Sequence, residues 1–243
     1  MRLPFRPSFW PTVITIPMIL IMIGLSAWQV QRLHWKEGLI AARVSRTTGA
    51  PIELPPAGTD LTDLEFHRVA LTGTYDHAHE FYLAARSQNG NVGYWIVTPF
   101  RTDKGDSILV NRGWVPVEKK LPDARKEGQI AGETQLDGVI RLPQSKVFFQ
   151  PDNEPQKNVW FYLSPAEMVA ASGIPARTDL YLDAGPEPVP GGFPIGGQTR
   201  IDLPNDHLQY SITWALLAIA LAVIYVVYHL KLEREANQKR GKP

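Results

Sequence analysis

The run Asn205-Asp206-His207-Leu208-Gln209-Tyr210-Ser211-Ile212-Thr213-Trp214 sets a histidine at the opening of a long apolar stretch. With Asn205 or Asp206 as the cap, His207 enters the first helical turn. Tyr210, Ser211 and Trp214 then fall at i+3, i+4 and i+7 on the same face. An imidazole and large aromatic rings along one face, at the edge of an apolar segment, could hold a flat amphiphilic cofactor. A neutral imidazole nitrogen is a standard axial ligand for haem iron. The same residues also fit simpler roles, Tyr210 and Trp214 as interfacial anchors and His207 as a polar helix-start residue.

Other residues suggest less chemistry. His77 and His79 share a turn and could face one side of a hairpin end, which suits a metal. Two histidines with no further ligand more commonly make a polar turn. His67 falls in a strand and His34 beside Trp35, and both read as structural. No phosphate loop, G-x-S-x-G elbow or zincin helix appears. Gly90 and Gly93 precede a strand rather than a helix, unlike a dinucleotide fingerprint. There is no cysteine, which excludes disulfides, thiolate metal sites and a cysteine nucleophile, and is compatible with an oxidising compartment. The 25 basic and 24 acidic residues nearly balance, so nothing favours nucleic acid as a partner. No catalytic residue is identified, and a protein that is not an enzyme is expected.

Two apolar segments must carry the helix-face residues. From Pro7 to Gln31 no side chain is charged, and residues 12–30 form about the 20-residue apolar run that spans a bilayer. Trp10 and Trp28 lie near its ends, and Pro17 is expected to kink it. A cleaved signal peptide, with Leu25-Ser26-Ala27 as its cleavage site, is the rival reading, but the run exceeds the usual h-region. Residues 210–230 are likewise free of Asp, Glu, Lys and Arg, with Tyr210 and Trp214 at one end and Tyr225 and Tyr228 at the other. Lys231, Arg234, Lys239, Arg240 and Lys242 follow this second segment, whereas only Arg200 shortly precedes it. The basic tail, 231–243, is therefore expected in the cytoplasm, together with residues 1–11, leaving 31–209 outside. The first segment dissents, since Arg2 and Arg6 precede it while Arg32, Lys36, Arg43 and Arg46 follow.

Between the spans, Arg32 to Ser45 reads as a short helix leaving the membrane. Alternating apolar and polar residues predict strands over 66–75 and 80–86; strands over 92–100 and 108–117 follow, joined across a turn at 103–106, and 134–142 and 180–184 add two more. Ser164, Pro165, Glu167 and Gly173 mark one short capped helix. Residues 186–204 are rich in Pro and Gly, aperiodic, and read as a linker back to the membrane. The expected fold class is a membrane protein whose two transmembrane helices flank a mainly antiparallel β domain with minor α, either open or a partly closed barrel.

Several runs resemble the surfeit-locus-one family of cytochrome c oxidase assembly factors. They are Gln31-Arg32-Leu33-His34-Trp35-Lys36, Phe66-His67-Arg68-Val69, Gly73-Thr74-Tyr75, Leu109-Val110-Asn111-Arg112-Gly113-Trp114-Val115-Pro116, Asn153-Glu154-Pro155, Asn158-Val159-Trp160 and Asn205-Asp206-His207-Leu208-Gln209-Tyr210. The resemblance covers nearly the whole chain. It implies an inner-membrane protein that binds haem a at the membrane surface and aids its insertion into, or stabilisation in, subunit I of a haem-copper oxidase. Partners implied are subunit I, haem a synthase and membrane lipid, and the residues matching the family's haem positions are His207 and Trp214. The chain departs from the family at Ser211 and Ala215, where Ala and Phe are frequent, and the smaller Ala215 would loosen the pocket. A scaffold that contacts the oxidase without binding haem is the alternative. The N-terminal residues lack a long Arg/Ser-rich transit segment, which favours a bacterial plasma membrane with the main domain periplasmic. For Gly113 the expectation is close backbone approach, and for Trp114 core packing.

Overall fold

A computed structural model describes residues 7–240; Arg2, Arg6 and Lys242, whose charges bear on orientation, lie outside the described residues. The chain divides into two compact units. One comprises the residues up to Ala42 and from Asp202, and the other comprises Arg43–Ile201.

The first unit is a pair of helices, α1 (Phe9–Thr48, whose last turns belong to the second unit) and α3 (His207–Arg240). Both are long and apolar enough to cross a membrane, by length and composition. No residue of α1 is buried, unlike the core helix of a soluble domain. The span and the short helix expected after it are a single helix, since no Gly or Pro interrupts Val30–Glu37. Pro17 lies within it. Polar rungs join the two helices in antiparallel register. Ser26 and Ser211 each donate a hydroxyl to the other's carbonyl, at 3.0 and 3.1 Å. Thr12 Oγ1 meets the Tyr225 hydroxyl at 2.6 Å, and the Ser8 amide donates to His229 Nε2 at 3.0 Å. In an apolar surround such bonds have no water to compete with them.

The second unit is built on seven strands: β1 (Arg68–Tyr75), β2 (Phe81–Gln88), β3 (Asn91–Thr102), β4 (Ser107–Pro116), β5 (Thr134–Arg141), β6 (Val159–Trp160) and β7 (Tyr181–Ala184). They run in the order β1-β5-β7-β4-β3-β2-β6, and β1 also pairs with β3. That extra pairing closes β1, β5, β7, β4 and β3 into a ring, from which β2 and β6 extend. The expected mainly antiparallel sheet is found, with parallel pairings at β4–β7 and β2–β6.

Closure depends on Gly73. At that residue β1 leaves β5 and joins β3, and a Cβ there would lie 2.1 Å from the Arg101 carbonyl oxygen. Glycine is the residue that lets two backbones approach so closely. The Asn89-Gly90 turn between β2 and β3 has positive φ at both residues, 50° and 83°, matching the right-handed twist of a two-residue hairpin. Strand β4 is buried along both faces: Ile108 and Val110 enter the core with Val69, Phe100 and Leu182, while Leu109 joins Phe81, Leu83, Trp160 and Tyr181. The second core is covered by α2 (Pro165–Ser172) through Met168. Ser164 caps α2 by accepting from the Glu167 amide, and Gly173 ends it in the left-handed region.

The Pro/Gly-rich segment is bound to the sheet rather than free. Trp114 and Ile195 exchange both backbone hydrogen bonds at 2.8 Å, Gly197 donates to Ala184, and Thr199 Oγ1 donates to Asp183. Residues 186–199 thus form a strap over β4 and β7. Its single bridge leaves no alternating pattern, so periodicity could not show it.

Candidate functional site

Helix α3 starts at His207, and the Tyr210 amide donates to the Asp206 carbonyl in the opening turn. His207 is half-buried. Its Nδ1 lies 2.7 Å from Gln29 Oε1 on α1. An amide oxygen accepts, so Nδ1 is the donor, and in the neutral ring Nε2 then carries the lone pair. Among the described residues nothing bonds to Nε2. Two residues before His207, the Asn205 Oδ1 is buried without a hydrogen-bond partner. The helix opening therefore holds an available imidazole nitrogen and, close along the chain, an unsatisfied acceptor. Tyr210 is exposed and Trp214 half-buried, three and seven residues along α3. Beyond Trp214, Ile19, Ile23, Ala27, Ala215, Ala218 and Ala222 of the two helices line an apolar groove of about 420 Å³.

Gln29 is the residue that sequence reasoning missed. It is an uncharged polar side chain near the end of an apolar run, which is its only signal. Its partner lies 178 residues away. His229 was missed as well: it is fully buried, and its Nδ1 bonds the Tyr225 carbonyl at 2.8 Å.

A second polar cluster lies inside the sheet domain. Arg125 grips the buried Glu80 carboxylate with both terminal nitrogens, and its Nε donates to the Lys119 carbonyl at 3.0 Å. Arg112, from the Asn-Arg-Gly-Trp run, reaches Glu80 at 3.6 Å, donates to the Gly128 carbonyl and covers the Tyr75 ring at 4.7 Å. Burial alone would raise the Glu80 pKa. The nearby His77 imidazole, the hydrogen bonds from Arg125 and the charges of Arg125 and Arg112 outweigh it and hold the carboxyl below its usual range. Burial likewise lowers Arg112. His77 Nε2 bonds the Ile130 carbonyl at 2.9 Å and its Nδ1 faces Arg112, so both ring nitrogens are used. His79 pairs with Asp76 at 2.7 Å, and His67 bonds the Leu64 carbonyl. The two turn histidines do not converge on a third ligand. Among the described residues no group of three or more His, Cys, Asp or Glu could hold a metal. This cluster is an internal clamp that ties the turn after β1 to the segment between β4 and β5.

Gly113 and Trp114 behave as expected. A Cβ on Gly113, at φ 121°, would lie 1.9 Å from the Ile195 carbonyl oxygen, and Trp114 is buried with its indole N–H on the Arg86 carbonyl.

A sequence profile described as the SURF1 family matches residues 16–219. Surfeit locus protein 1 of Homo sapiens is 40% identical over 219 residues, covering 83% of this chain and 72% of the human protein. Surfeit locus protein 1 of Takifugu rubripes is 39% identical over 86% of this chain and 92% of its own length. A SURF1-like protein of Drosophila melanogaster is 38% identical over 83% of this chain and 72% of its own length. All three relatives are eukaryotic.

Proposed function

Because the chain belongs to the SURF1 family, we propose that it is a membrane-bound assembly factor for haem-copper cytochrome c oxidase, binding haem a at His207 and aiding its transfer to subunit I. The observation that carries this reading is the His207 ring, fixed through Nδ1 by Gln29 with Nε2 left available. A metal-ligating histidine commonly donates its other ring N–H to an oxygen in this way, which orients the ring and makes the ligating nitrogen more basic. The donor set therefore fits a haem, whose iron, when bound, accepts one imidazole lone pair.

The remaining residues serve binding, not catalysis. Trp214 and Tyr210 supply aromatic surface along the same helix, and the groove beginning at Ala215 offers apolar walls suited to an isoprenoid tail. Asn205 Oδ1, buried and without a partner, would accept a hydrogen bond from a donor group of the ligand. A single protein ligand keeps affinity low enough for release to the oxidase. We further propose that α1 and α3 span a bacterial plasma membrane, with residues 31–209 periplasmic. The exposed apolar surface of both helices supports spanning. The basic residues that follow the apolar run 210–230, in the last turns of α3, support the orientation. Subunit I and haem a synthase are the proposed partners.

Purified from cells that make haem a, the chain is expected to show a haem absorption spectrum that His207→Ala largely abolishes. Equal loading of the variant would remove His207 from the site. Crosslinking to subunit I by a chain that never carries haem would instead establish a scaffold.

A further inference from the structure

The connection after β5 carries Val147, Phe148 and Phe149, which are 64%, 90% and 93% exposed. Their display is built. The Gln150 amide closes a turn on the Val147 carbonyl at 2.9 Å, and the Gln150 side chain donates to the Phe161 carbonyl at 2.6 Å. A Lys146–Asp152 ion pair at 2.6 Å joins the two sides of the turn. The two phenylalanine rings meet edge to face, 4.7 Å apart. Soluble surfaces scatter single apolar side chains; three in succession on a hydrogen-bonded tip signal something that covers them.

We propose that this turn is a lipid-contacting tip that inserts shallowly into a bilayer surface. The inference rests on the reading that α1 and α3 span a membrane. Area argues for lipid over a protein partner: two phenylalanines and a valine offer on the order of 450 Å², about half of the ~800 Å² per partner of a stable protein interface. Shape agrees, because a convex tip needs no complementary pocket in a fluid acyl layer. Tethering completes the case. A domain leashed to two spanning helices meets lipid at an effective concentration in the millimolar range, so weak insertion suffices. Lys146 is paired with Asp152, so the tip does not depend on anionic lipid.

The absence of cysteine makes the test clean. Phe149→Cys in the full chain, labelled with an environment-sensitive fluorophore and reconstituted in phosphatidylcholine nanodiscs, should emit to the blue of the label in water. Nitroxide-bearing lipid should quench it and aqueous iodide should not. Adding Phe148→Asp should lower the inserted fraction about tenfold or more. A label quenched by iodide and untouched by nitroxide overturns the proposal, as does one shielded from both only when a protein partner is added. A companion Ile224→Cys label in α3 separates the two failures. Nitroxide quenching at 224 with an aqueous 149 sinks the tip alone, whereas water at both positions sinks the membrane reading beneath it.

Discussion

Gln29 and Glu80 show how differently a single polar side chain can act. Gln29 contributes one hydrogen bond to the back of His207. If that bond sets the tautomer, Gln29→Leu should weaken haem a binding about 10–100-fold while leaving the thermal unfolding of the sheet domain unchanged. A titration with haem a in detergent would measure it, and unaltered affinity would show that the imidazole needs no such partner. Glu80 contributes to stability. Its side chain is 1% exposed and held by Arg125 and Arg112. Glu80→Gln strands two guanidinium groups and should cost about 3–5 kcal/mol at neutral pH. The Glu80 pKa is lowered on folding. Its contribution is therefore full above the unfolded carboxylate range near ~4.3 and disappears as pH falls through the depressed native value. The variant should show a shallower loss of stability in acid than the parent, measured by denaturant unfolding across that range. A parallel slope would reassign the acid sensitivity to other carboxylates. In the sequence, His207, Tyr210 and Trp214 are legible because helical spacing brings them to one face. Gln29 and Arg125 are not, because their partners lie far along the chain.

At the level of elements, local pattern and tertiary placement divide cleanly. Strands β1, β2 and β5 alternate along a half-buried surface, β3, β4 and β7 are short apolar-rich runs bounded by turn residues, and α2 carries its own cap and stop, so each is readable from neighbouring residues. Ring closure is not, because it depends on β1 changing partner at Gly73, an event fixed by backbone approach rather than by alternation. Strand β6 has two residues, too few for any period. The strap over β4 is hidden for a related reason: its one strand-type bridge is Ile195 to Trp114, and its fit requires that Gly113 lack a side chain. Gly113→Ala should therefore destabilise the domain by roughly 2–4 kcal/mol and open residues 186–199 to proteases before the sheet unfolds. Cleavage unchanged from the parent would mean that the strap can shift aside without loss.

For the whole molecule, the two apolar helices decide where the chemistry can take place. With α1 and α3 antiparallel, a membrane crossing puts His207 and Gln29 near one surface, and Ser8 and His229 near the other. Which surface is which rests on charge. Lys231 and Arg234 follow the apolar run of α3, against Arg200 alone before it, while Arg32 and Lys36 after the first apolar run argue the opposite. The positive-inside bias is weaker for long translocated segments, and that favours the orientation set by α3. A chain without cysteine lets each side be read separately. A cysteine at Asp123, whose side chain is 97% exposed, should react with a membrane-impermeant maleimide in intact spheroplasts. One at Glu235 should react only after permeabilisation, and both variants should stay in the pellet through alkaline carbonate extraction. Reversed labelling would move His207 to the cytoplasmic surface, so that haem a would have to be collected and passed on from that side. Labelling as expected would put His207, and with it the proposed handover, at the outer boundary.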